Sequence, residues 1–180
     1  MNLKGGNFIR PNVKHMTLAS LFASLLAICA WICIPVSDIS ITMQTFGLFL
    51  ALLLLGGKWG SVSVGIYLLL GAVGLPVFSG FRGGLGHLIG VTGGFLWGFL
   101  AAGLVYWALE KVGKIPATVF GLLACYLCGC GWFYIYSGGG LAFILARCVL
   151  PCLIPDVIKL WLAYVLARRL RKVITIPSRT

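Results

Sequence analysis

The chain has 180 residues, 61% of them hydrophobic and 9% charged, with a formal net charge of +11. A soluble domain carries about a quarter charged residues, so there is too little polar surface here to cover a globule in water. At roughly 20 apolar residues per bilayer span, the length allows six or seven spans and no separate soluble domain. The basic excess does not indicate nucleic acid, because the cations punctuate the apolar runs, as topology signals do.

Lys4, Arg10 and Lys14 precede an apolar run from Met16 to Ile34. The run is longer than a signal-peptide core and lacks a small-x-small cleavage site, so it reads as the first span, 16–36. Within it Ala19, Ala23 and Ala27, flanked by Ser20 and Ser24, give a smooth stripe that lets another helix approach closely. An internal neighbour and an external partner are equally good readings of that stripe. The second span, 42–56, opens on Ile41-Thr42-Met43-Gln44-Thr45. Thr42 suits a helix cap, which leaves the Gln44 amide at the outer membrane level unexplained. The third span is 60–75.

The segment 76–91, PVFSGFRGGLGHLIGV, is rich in glycine yet too apolar for a solvated linker. Irregular backbone at membrane depth is tolerated only against protein or a cavity. Phe78, Phe81, Phe95 and Trp97 gather around it, as an interfacial belt or as ring contacts to a ligand. The fourth span, 92–109, begins Thr92-Gly93-Gly94, and Gly86, Gly90, Gly94 and Gly98 form a second small-residue series suited to packing. The fifth span is 116–136. In the segment 138–154, the apolar run 141–153 is too short to span, and it reads as a re-entrant or broken helix over the outer face. The last span is 155–170.

Eleven of the fourteen basic residues fall at the two ends, the 2–3 turn or the 4–5 loop: Lys4, Arg10, Lys14, Lys58, Lys111, Lys114, Arg168, Arg169, Arg171, Lys172 and Arg179. Six spans put all of these on one side, which the positive-inside rule makes cytoplasmic. The expectation is an all-α integral membrane protein with six transmembrane helices, a single substrate-binding domain over 1–180. Residues 1–15 and 171–180 are then short cytoplasmic ends. Asp38, Arg82, Arg147, Asp156 and Lys159 remain for the outer loops or the membrane interior, where charge is costly and marks function.

Asp156 and Lys159 are the sharpest feature. Residues at i and i+3 share a helix face, so both heads can enter one cavity. Pro155 suits the first helical position, which would put Asp156 in the first turn, where the helix dipole favours an anion. The bland alternative is a self-neutralising packing pair. Lys159 lies about 14 Å outward of Arg168 along such a helix, near the middle of a core roughly 30 Å thick. Other patterns carry less. Cys125-x-x-Cys128-x-Cys130 has no nearby histidine or carboxylate to complete a zinc site, and buried cysteines usually pack as small apolar groups. Gly57-Lys58 lacks the upstream glycine of a phosphate loop, and Gly84-x-Gly86 lacks the strand and third glycine of a dinucleotide fingerprint. His87 alone reads as a structural loop residue.

Three stretches taken together resemble a known family: ITMQTFG at 41–47, LLLGAVGLPVFSGFRGGLGHLIGVTGGFLWGF at 68–99, and LPCLIPDVIKLWLAYVLARRLR at 150–171. In order and spacing they are similar to BioY, the biotin-specific substrate-binding subunit (S-component) of energy-coupling-factor vitamin transporters, over essentially the whole chain. The resemblance implies a six-helix S-component fold that binds biotin on the outer side and carries no cofactor. It also implies docking to a transmembrane coupling subunit driven by a pair of ATPases, which use the ATP. Asp156 would accept a ureido N–H, and Lys159 would donate to the ureido oxygen or the carboxylate tail. Gln44, Thr45 and Thr92 would complete the polar contacts, Phe81 and Phe95 would cover the ring, and Arg82 would contribute from the outer loop. Ala19, Ala23 and Ala27 resemble the helix-one motif by which S-components dock. The chain departs from the family at Val91 and Phe95, usually proline and tyrosine, and at Ile154-Pro155, usually proline-glycine.

Three other readings stay open on the residues alone: an S-component for another vitamin, an intramembrane enzyme using Asp156 or a cysteine, and a membrane interaction subunit without a ligand. The lack of a paired acid or base weighs against the enzyme.

Overall fold

A computed structural model describes residues 10–34, 40–138, 140 and 144–173. Lys4, Asp38 and Arg179 lie outside the described residues, as do the side chains of Arg10 and Arg147. The chain is mostly helical. Helix α1 (Arg10–Trp31) leads to a short hairpin, β1 (Cys33–Ile34) and β2 (Ile41–Thr42), paired antiparallel with Cys33 opposite Thr42. Helices α2 (Gln44–Leu55) and α3 (Gly57–Ala72) follow, then the short α4 (Leu85–Ile89), α5 (Gly93–Leu109) and α6 (Lys114–Ser137). A π turn (Leu145–Val149) runs into the last helix, α7 (Leu150–Val173).

Among the described residues three helices are long and apolar enough to cross a membrane: α1, α6 and α7. At 1.5 Å per residue the 24-residue α6 and α7 each extend about 36 Å. The 12-residue α2 extends only about 18 Å. It is apolar on every side, as a helix enclosed by others must be, and every residue from Gly47 to Leu55 is buried. Helices α1, α3 and α7 all pack on it. Gly56, with φ +86, turns the chain between α2 and α3 in a single residue, a conformation that L side chains resist. The N-terminal turn of α3 is then held by Glu110, whose Oε2 accepts the Gly57 N–H at 2.8 Å.

Helices α5 and α6 form the tightest seam. A Cβ added at Gly94 would stand 2.2 Å from the Trp132 Cβ, and one at Gly98 would stand 2.8 Å from the Cys125 carbonyl oxygen. Gly129 returns the relation from α6, its missing side chain leaving room for the Phe95 ring. The glycine series read from the sequence therefore serves packing at Gly94 and Gly98.

Two expectations are corrected. Ala19, Ala23 and Ala27 are all buried within the chain itself, in the core that α1 shares with α2 and α3. The side chains are small because neighbouring helices of the same chain lie against them, so they present no free docking face. The exposed face of α1 is the neighbouring one, with Thr17, Ser20 and Ser24. Each of those hydroxyls donates to the carbonyl four residues earlier. Second, Pro155 is not the first residue of the last helix but lies inside it. The helix begins at Leu150, directly from the π turn, so Asp156 sits beyond the first turn, away from the N-terminal dipole. Pro151 and Pro155, one turn apart, each remove a backbone donor, and the wide turn just upstream is where such a helix departs from α geometry. The described part of 138–154 thus extends the last helix and is not a separate re-entrant element.

Candidate solute-binding site

Two polar clusters form within the bundle. The first joins α6 and α7. Asp156 and Lys159 share a face of α7 and are almost wholly buried, at 5% and 7% exposure. Lys159 Nζ donates to Asp156 Oδ1 at 2.9 Å, and the Tyr126 hydroxyl donates to Oδ2 at 2.6 Å. Both carboxylate oxygens are therefore satisfied, as a buried charge requires. The ammonium has three donors, and among the described residues it places one of them on Asp156. Two N–H vectors are left for a guest.

The second cluster joins α2, α3, α4 and α5. Thr42 accepts the Gln44 backbone N–H at 3.3 Å and donates to Gln44 Oε1 at 2.8 Å. Gln44 Nε2 in turn donates to the Tyr67 hydroxyl at 2.6 Å. Tyr67 meets Phe78 edge-on, with ring centroids 5.5 Å apart, and Phe78 stacks on His87 at 5.4 Å. Phe78 reaches this position only because Gly71 has no side chain: a Cβ there would stand 2.0 Å from the ring. Beyond it, Thr92 Oγ1 lies 3.4 Å from His87 Nε2. Burial and the nearby Arg82 charge, in that order, hold the His87 pKa below its ordinary value, so the imidazole is neutral at pH 7.

Beside this cluster lies a cleft of about 920 Å³, with Ser40, Ser79, Arg82, His87, Thr92 and Phe133 among its walls. That volume is in the range of small-molecule sites, roughly 300–1,000 Å³. It continues through Ser40, Ser79, His87 and Thr92 into a recess of about 60 Å³ that Gln44, Phe95 and Phe99 close. Asp156 and Lys159 line neither space. Helix α7 packs along α2 and reaches β2, which sets the two clusters on adjacent elements. No hydrogen bond joins them among the described residues.

The expected site residues thus divide. Gln44, Thr92 and Phe95 meet at the recess, Arg82 overlooks the cleft, and Asp156 and Lys159 form the second cluster. Thr45 is half-buried in the first turn of α2 and lines neither space. Phe81 lines neither of these two spaces: it is 63% exposed and stacks on Trp31, with centroids 4.9 Å apart. The same Trp31 donates its Nε1–H to the Pro76 carbonyl at 2.8 Å, fastening the loop to the end of α1. Phe81 holds a positive φ of 57°, rare for a bulky residue. Sequence reasoning missed Tyr126 and Tyr67, and it undervalued His87. No spacing rule links the tyrosines to Asp156 or Gln44, because each contact bridges two helices. Among the described residues no group of three metal-ligating side chains comes together, and the described cysteines are free thiols.

Apolar helices around a polar-lined cleft, with a separate ion pair buried between α6 and α7, define an integral membrane protein that holds a small solute. The sequence model of the BioY family matches residues 3–176, and the chain belongs to that family. It is 38% identical over 158 residues to the "Probable biotin transporter BioY" of Pyrococcus horikoshii, covering 88% of this chain and 96% of that protein. It is 35% identical over 167 residues to the "Biotin transporter BioY" of Thermotoga maritima, covering 89% and 97%. The fold is similar to the crystal structure of the S-component for biotin from an ECF-type ABC transporter, with a TM-score of 0.84 at 29% identity over 93% of this chain and 95% of that one. The family is one of transporter subunits and not of enzymes.

Proposed function

We infer that this chain is the substrate-capturing subunit of a biotin uptake system, taking biotin from outside the cytoplasmic membrane and docking to an ATP-driven coupling module. The observation that carries this reading is the buried Asp156–Lys159 pair, capped by Tyr126. Breaking such a pair costs about 3–5 kcal/mol, and intramembrane ion pairs mark solute pathways. Biotin matches the chemistry on offer. Its ureido N–H groups suit the lone pairs that Lys159 and Tyr126 leave on the carboxylate, its ureido oxygen or carboxylate tail suits the ammonium, and Gln44 and Thr92 supply neutral partners. Phe95 and Phe99 give the thioether ring an apolar wall. The names of the relatives support the same solute.

In this reading α1, α2, α3, α5, α6 and α7 are the six membrane-crossing helices, and both ends of the chain lie in the cytoplasm. The transmembrane coupling subunit binds on the exposed face of α1, along Thr17, Ser20 and Ser24, and the pair of ATPases that drive it consume the ATP. Equilibrium binding of biotin to the purified full chain in detergent tests the reading. Saturable binding that thiamine and riboflavin do not displace is expected. Absence of saturable binding, or equal displacement by other vitamins, overturns the biotin assignment.

A further inference from the structure

Along the C-terminal half of α7, from Leu160 just past the ion pair to Lys172, a groove of about 600 Å³ runs between α6 and α7 with Leu53 of α2 at its floor. One end is apolar: Val119 of α6 lines it with Leu160 and Trp161 of α7. Val119 and Trp161 are 48% and 67% exposed, so this wall is open to whatever surrounds the bundle. The other end is cationic. Arg168, Arg169 and Lys172 line it, and none of the groove's lining residues is acidic. Arg168 is set in place by Tyr164, whose ring centroid lies 5.7 Å from the guanidinium carbon. Arg168 also borders a smaller notch of about 120 Å³ that it shares with Lys114 and Arg171, so positive charge reaches the site from both helices.

The separation of the two chemistries is ordered along the helix. Trp161 and Arg168 are two turns apart, about 11 Å. The apolar wall therefore lies within the hydrocarbon depth and the cations at the interface, where basic pockets between spanning helices meet anionic head groups. We propose that this groove is a binding site for an anionic phospholipid, its phosphodiester held by Arg168, Arg169 and Lys172 and an acyl chain laid against Val119, Leu160 and Trp161. A molecule with one anionic end and one long apolar tail matches a groove with charge at one end only. A zwitterionic lipid brings a choline or amine into the same cluster of cations and is disfavoured there.

Native mass spectrometry of the full chain tests this, with phosphatidylglycerol and phosphatidylcholine of identical acyl chains in competition. Phosphatidylglycerol should be retained at least fivefold over phosphatidylcholine. The triple variant R168Q/R169Q/K172Q should lose that preference, and R168K/R169K should keep most of it. Val119→Trp, which fills the apolar wall, should lower retention of both lipids while the chain stays monodisperse. Equal retention of the two lipids by the unaltered chain overturns the proposal without recourse to any variant. Displacement by soluble glycerol phosphate would show a phosphate site without a lipid tail and would equally overturn it. So would a Val119→Trp variant that retains lipid normally but no longer assembles with the coupling subunit, since the groove would then be a protein interface. Lipid retention does not depend on biotin, so this outcome and that of the vitamin-binding experiment are read separately.

Discussion

Tyr126 on α6 donates its hydroxyl to Asp156 on α7 at 2.6 Å, so the acceptor oxygen not used by Lys159 is closed by a neutral donor from the neighbouring helix. The carboxylate is thereby fixed against both helices rather than merely neutralised. Three variants separate these contributions.

Lys159→Ala leaves a buried carboxylate without its cation. It should lower thermal stability by about 3 kcal/mol and reduce biotin affinity at least tenfold, about 1.4 kcal/mol. The double variant Asp156→Leu/Lys159→Met removes both charges and should recover most of the stability but none of the affinity. Calorimetry for ligand and thermal unfolding for stability read the two effects. Wild-type affinity in the double variant would make the pair purely structural. Tyr126→Phe keeps the ion pair and should cost a smaller amount, about 1–2 kcal/mol, as expected for one hydrogen bond to a charged group.

Gly93→Ala should damage the recess without touching a ligand group. A Cβ there would stand 2.0 Å from the Leu88 carbonyl oxygen, so the turn between α4 and α5 must open and Thr92 must move away from His87. Biotin affinity should fall at least tenfold while the overall helix content stays unchanged, as measured by binding and circular dichroism. Unchanged affinity would show that Thr92 is not part of the site.

Acid should loosen the 76–91 loop. The His87 pKa is held down by burial and by Arg82, so the opened loop binds a proton more readily than the packed one. Stability is then complete above the ordinary histidine value of about 6.5 and is lost as pH falls below it toward the lowered value. The protection of the loop amides, corrected for the intrinsic pH dependence of exchange, should fall between pH 7.5 and 5. His87→Gln should remove that fall, and Arg82→Gln should weaken it. Protection factors that do not change with pH in the unaltered chain would refute the role of the imidazole.

On α1 the two faces should respond oppositely. Ala23→Trp forces an indole into the core and should unfold the chain or abolish biotin binding. Ser24→Trp, on the exposed face, should preserve binding in detergent and stop ATP-driven uptake in a reconstituted system. Normal uptake by Ser24→Trp would move the coupling surface off this helix.

Membrane-impermeant labelling of single-cysteine variants should reach position 82 from outside but not position 111. Labelling of both from one side would break the six-span arrangement.

The helices were legible because their signal is one-dimensional: an apolar run has a length, and the cations mark its ends. The span boundaries 92–109 and 116–136 fall within two residues of α5 and α6. Asp156 and Lys159 were legible for a related reason, since i and i+3 on a helix must share a face. What failed was anything that depends on the identity of the neighbour. The alanines at 19, 23 and 27 announce close approach but not by whom, and the neighbours are helices of the same chain. Pro155 reads as a helix start because proline is easiest there, yet the π turn before Leu150 lets the helix begin earlier. Tyr126, Tyr67 and Glu110 act across 30, 23 and 53 residues of sequence, and a lone tyrosine or glutamate carries no mark of such a reach.

The seam of α5 and α6 has a mechanical consequence. With Gly94 and Gly98 on one helix and Gly129 on the other, backbone meets side chain at van der Waals contact along much of the seam. Sliding by even one residue would drive Trp132 or Phe95 into a main chain. The two helices therefore behave as one stiff plank, carrying Thr92 at one end and Tyr126 partway along its length. On the other side of the cleft the 76–91 loop is tied to α1 through the Trp31 contacts to Pro76 and Phe81. One wall of the cleft is therefore a fixed jamb, and the indole of Trp31 pins the other.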